Sequence, residues 1–201
     1  AVVSHGRVGV AVALAQARAF LGSSKAPGVL IVSADSLLLW PTLSHYERAD
    51  RLLTESNSNG FMPGEGAGAL WVGAVGGRSP QLLCTGVGFA REPAHIDSGE
   101  PLRADGLTRA IKASLADAGR QAHEMDFRIT DNSGEQYYFK EASLALARVL
   151  RQGKDSFDIW HPAECTGEAG AASGAAVIAT GREACLKGYA PGRNILTHWA
   201  N

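Results

Sequence analysis

The chain has 201 residues, 45% hydrophobic and 19% charged, with a formal net charge of −1. Its composition is that of an ordinary globular protein, and its length allows one domain or a large part of one. Near-neutral charge leaves no basic footprint for nucleic acid or for an anionic membrane surface. The three cysteines, Cys84, Cys165 and Cys185, give neither a CxxC zinc pair nor an even disulfide set, so a reducing cytoplasmic setting is expected.

Val8 to Leu21 is apolar and Ala-rich but carries Gln16 and Arg18. It is short for a membrane span and lacks a basic leader, so it reads as a buried helix. Such a helix opening a chain suggests a piece of a longer or split protein. Gly22 to Gly28 is a loop by composition. The continuous apolar run Val29–Val32 predicts a strand covered on both faces. Ser56 to Gly60 is a loop. Gly68–Val75 and Leu82–Phe89 predict two further strands around a turn at residues 76–80.

A helical pattern then begins. Leu107, Ile111, Leu115 and Ala118 recur at helical spacing, and Gly119 marks a stop. Asp126–Thr130 is a short strand candidate, Phe139–Leu150 a helix, Phe157–Trp160 a strand, Gly167–Leu186 an Ala/Gly-rich helix and Ile195–Trp199 a last strand. Strands alternating with helices predict an α/β fold with a mainly parallel sheet. Trp40, Trp71, Trp160 and Trp199 read as core or interface aromatics.

Four segments, in order, are similar to one family. They are VLIVSADSLL at Val29–Leu38, GFMPGEGAGAL at Gly60–Leu70, the helix Leu107–Gly119, and GEAGAASG at Gly167–Gly174. Together they resemble the C-terminal part of a β-ketoacyl synthase of the thiolase superfamily. The second segment is similar to the family's GF-x-x-GEGAGAL and is the most specific match; a buried Glu65 there would need hydrogen-bond donors. The resemblance implies a layered α-β-α-β-α thiolase-like fold of two similar halves. Residues 1–75 would be the end of the first half, and residues 76–201 most of the second. Two strands and a helix cannot close a sheet core, so more polypeptide is expected to cover them.

The resemblance also implies where condensing chemistry would sit. The family's nucleophile, a Cys at a helix N-terminus that favours thiolate, falls at Ser4 or His5. The first family His, in an HGT-like motif, falls at Thr130–Gly134, where Asp131 is the nearest candidate. The second, in GH-x-x-GAAG, falls at Glu168. A family Lys aligns near Pro162 or Ala163, with His161 close by. Ionised carboxylates would oppose a developing enolate, and Asp131 could help only if protonated. Ser4, His5, Asp131, His161 and Glu168 are thus the candidate site residues, set against the plainer reading that they cap turns and helices. Asp131, Glu135, His161, Glu164, Cys165 and Glu168 are expected at one end of the second sheet, where carboxylates and a His can also act as acid and base or bind metal; no metal or cofactor is called for.

The resemblance implies a fatty-acid or polyketide type protein without condensing activity. It would pair as a homo- or heterodimer with a synthase-like chain, as chain-length-factor subunits do, and meet acyl carrier protein indirectly. The alternatives are an acyltransferase using Ser4 or a structural module that binds no acyl chain.

Overall fold

The computed structural model describes residues 1–76 and 80–201. A short 3-10 turn, Gly6–Val8, leads into α1, Gly9–Ser23. Strand β1, Gly28–Ser36, pairs antiparallel with β2, Glu65–Gly73, in a two-stranded ribbon with Leu30 opposite Trp71 and Val32 opposite Ala69. Helix α2, Trp40–Arg48, and a loop containing buried Phe61 lie between them.

The second half holds α3, Asp105–Ala118, β3, Phe127–Thr130, and α4, Gln136–Val149. It continues with β4, Ile159–Trp160, α5, Ala163–Thr166, α6, Ser173–Lys187, and β5, Ile195–His198. Its sheet has the order β4-β3-β5 and is parallel throughout. Leu107, Ile111 and Leu115 lie on one face of α3, so the helix buries that stripe against α4 and Leu196 of β5. Gly119 ends α3 in the left-handed conformation, φ 62°, and the Arg120 N–H returns to the Leu115 carbonyl at 2.9 Å. The other face of the sheet packs Phe127 and Ile129 against Val177 of α6.

Helices α1 and α6 touch each other and both pack on the ribbon. The layers therefore run α3 and α4, the parallel sheet, α6 and α1, then the ribbon. Among the described residues no helix layer covers the ribbon's outer face. Val29–Val32 forms its strand, but not one covered on both faces: Leu30 and Val32 are 59% and 66% exposed. Trp71 and Trp40 are exposed rather than core.

Two further expectations are corrected. Leu82–Phe89 pairs with no strand. Its glycines press it onto α3: a Cβ at Gly86 would lie 2.2 Å from the Ser114 carbonyl oxygen, and one at Gly88 2.2 Å from that of Ala110. The turn expected at residues 76–80 falls partly outside the described residues. The α-helix expected from Gly167 begins only at Ser173, because Gly167 and Gly170 take positive φ, and a 3-10 turn, Gly170–Ala172, leads into it.

Candidate functional site

The C-terminal end of β3 delivers Asp131, and the bend before α6 delivers Glu168. Both are buried. Between them lies Arg7, carried in by the turn before α1 and itself buried. Its Nη1 donates to Glu168 Oε2 at 3.0 Å, and its Nε stands 3.7 Å from Asp131 Oδ2. The guanidinium lies 4.2 Å over the Tyr138 ring, on α4.

The two carboxyls are served unequally. Glu168 also accepts from the Gly170 N–H at 2.9 Å and the Ser173 hydroxyl at 3.2 Å. Asp131 accepts from the Ala200 N–H at 3.2 Å, and Arg7 is beyond hydrogen-bond reach. Burial, opposed by Arg7 and reinforced by Glu168, pushes the Asp131 carboxyl up to about 7. Beside it lie Thr130, Pro162, Ala163 and Val177.

The backbone of Glu168 also clasps the GEGAGAL segment. Its N–H donates to the Met62 carbonyl at 2.7 Å, and its carbonyl accepts from Gly64 at 2.8 Å. A Cβ on Gly64 would lie 2.3 Å from the Thr166 carbonyl oxygen, so only glycine fits where the two motifs cross. Glu65 itself is exposed, not buried, and accepts from the Ser36 hydroxyl at 2.9 Å.

Of the candidates read from the sequence, Asp131 and Glu168 come together. His161 stands at the rim, its Nδ1 3.0 Å from the Thr130 hydroxyl, with burial holding its pKa below the usual histidine value. Ser4 and His5 are exposed, and among the described residues neither side chain makes a hydrogen bond. Glu135 is taken up by Arg51, which donates to its two oxygens at 2.6 and 2.9 Å. Glu164 and Cys165 are exposed on α5, and among the described residues no group of His, Cys, Asp and Glu is arranged to hold a metal. Glu168 accepts from the Gly170 N–H, while Asp131 faces Arg7.

Sequence reasoning passed over Arg7. The signal was slight: a lone arginine at the start of an apolar run, in a chain with two carboxylates expected at one end of the second sheet.

No protein-family model matches the sequence, and no curated protein does. Solved structures do match. A ketosynthase in complex with its chain length factor, from Xenorhabdus doucetiae, superimposes with a TM-score of 0.78 at 18% identity, covering 95% of this chain and 48% of that one. A type II polyketide synthase acyl-carrier protein in complex with its ketosynthase gives 0.76 at 18% identity over 93% and 49%. A β-ketoacyl synthase from Burkholderia phymatum gives 0.69 at 17% identity over 92% and 48%. The chain has the thiolase-like fold of ketosynthases and chain length factors, and it spans about half the length of the structures it matches.

Proposed function

We propose that the protein is a ketosynthase-like subunit of fatty-acid or polyketide metabolism that does not itself condense acyl groups and that acts beside a synthase chain. The observation that carries this is the Arg7–Asp131–Glu168 cluster. It sits where the sequence resemblance puts the carbanion-stabilising histidines, and it is buried and occupied by its own counter-ion. Condensation needs donors aimed at a developing negative oxygen and a nucleophile activated beside them. Glu168 has spent its oxygens on Arg7, Gly170 and Ser173. Ser4 has no base bonded to it among the described residues, so nothing favours the acyltransferase alternative.

The partner role rests on the ribbon. Leu30, Val32 and Trp71 form an apolar outer face of a kind that stable proteins cover. A polypeptide that completes the first sheet and its outer layer would bury it. Matches to a ketosynthase bound to its chain length factor, and to one bound to an acyl-carrier protein, support a synthase-like chain as partner and acyl carrier protein as a further, indirect one.

The test uses the natural full-length protein with malonyl-carrier and an acyl donor, alone and with a synthase that retains its nucleophile. The expected result is no elongated product from the protein alone, and a change in product length or yield in the mixture with a co-eluting complex. Elongation by the protein unaided would overturn the proposal.

A further inference from the structure

Asn59 is followed by Gly60. In that pairing the main chain readily attacks the asparagine side chain, because glycine has no side chain to shield its amide nitrogen. The reaction needs only water. The Gly60 nitrogen, losing its proton, bonds to Asn59 Cγ; the Cγ–Nδ2 bond breaks and ammonia leaves with that proton. Water then opens the five-membered imide at either carbonyl. The product is aspartate or, with the main chain rerouted through the side chain, isoaspartate. For the first bond to form, the Asn59–Gly60 peptide must swing toward the side chain, and the side chain must be free to meet it.

The fold withholds both freedoms. Asn59 is exposed, yet its Oδ1 accepts from the Gln136 N–H, the first of α4, at 2.7 Å. Its own N–H donates to Asn57 Oδ1 at 2.9 Å. Gly60 is buried and walled in on two sides: a Cβ there would strike the Leu52–Leu53 peptide, and its carbonyl oxygen lies where a Cβ on Gly134 would stand. Phe61, next in the chain, is buried and tied by its N–H to the Arg51 carbonyl at 3.0 Å and by its carbonyl to the Leu53 N–H at 2.9 Å. Gly134 and Gln136 belong to the second half of the chain, so the site stays closed while this loop stays docked on α4.

We propose that Asn59–Gly60 is a deamidation site held closed by the N-terminus of α4, and that it converts when the loop lifts off the helix. Isoaspartate adds a methylene to the main chain and displaces the cap, so each conversion leaves a one-way covalent record of opening at the junction.

The test follows the peptide spanning residue 59 by mass spectrometry, for the mass gain of amide-to-acid conversion and for isoaspartate. The natural protein, Gln136→Pro and Gln136→Ala are held in mildly alkaline buffer, and the natural protein also in denaturing guanidinium chloride. Proline suits the first helical position, since Glu135 before it is already extended at ψ 126°, and it removes the N–H that Asn59 uses. Conversion in the folded natural protein should run at least roughly tenfold slower than in denaturant, because local opening limits it. Gln136→Pro should speed it roughly two- to tenfold, the worth of one hydrogen bond, and Gln136→Ala, which keeps the N–H, should leave it unchanged. Conversion as fast in the folded natural protein as in denaturant overturns the proposal, whatever the variants do. So does no conversion in denaturant, a rate unchanged by Gln136→Pro, or equal rates in the two variants.

Discussion

Three arginines from the first part of the chain, Arg7, Arg18 and Arg51, reach carboxylates in the second, and Arg51 and Arg7 do so under different conditions. Arg51 meets Glu135 one to one through both oxygens and lies 5.3 Å over the Tyr46 ring near the surface. Arg7 meets two carboxyls, stacks on Tyr138 and is sealed. The first is a balanced tie, in which Glu135 is buried and only the Arg51 guanidinium keeps part of its water. The second is a buried triad, for which desolvation exceeds what one hydrogen bond returns unless a proton balances it. Identical residue types therefore give a one-to-one cross-link in one place and a cation shared by two carboxyls in the other.

Removing the central cation should separate the two most. Arg7→Met leaves Asp131 and Glu168 buried without a cation, and the loss in a denaturant titration should be about 3–5 kcal/mol. A loss no greater than that of an Arg51 variant would break the distinction. Next comes the clasp that positions Glu168. Gly64→Ala drives a methyl into the Thr166 carbonyl and should cost about 1–3 kcal/mol by the same titration. In the balanced pair, Glu135→Gln keeps the shape and one acceptor, so a loss of about 1–2 kcal/mol is expected by the same titration. Smallest is Val32→Thr on the ribbon's outer face. Its effect on stability should stay within about 0.5 kcal/mol, while association with a synthase chain, followed by light scattering, should weaken. Unchanged association would remove the ribbon from the interface.

The second half of the fold was the more legible. The Leu107, Ile111 and Leu115 stripe and the Gly119 stop predict α3 because helical spacing and a left-handed cap are both local signals. Leu82–Phe89 carries the apolar pattern of a strand, but its fate depends on Gly86 and Gly88 letting it lie on a helix, which is a tertiary fact. The same holds for Val29–Val32. Its pattern says buried on both sides, and the described chain covers one. Asp131 and Glu168 were placed near each other through motif order, 37 residues apart along the chain. Arg7 lay outside every motif, and only the fold shows that the turn before α1 delivers it between them.

The most direct test of the central claim is intact mass spectrometry of the natural protein after incubation with acyl-CoA and acyl-carrier thioester donors. A cluster closed by Arg7, with Ser4 lacking a base, predicts an unchanged mass after hours of exposure. A stable acyl adduct, mapped by peptide digestion to Ser4 or to any residue at the ends of β3 and α6, would contradict it.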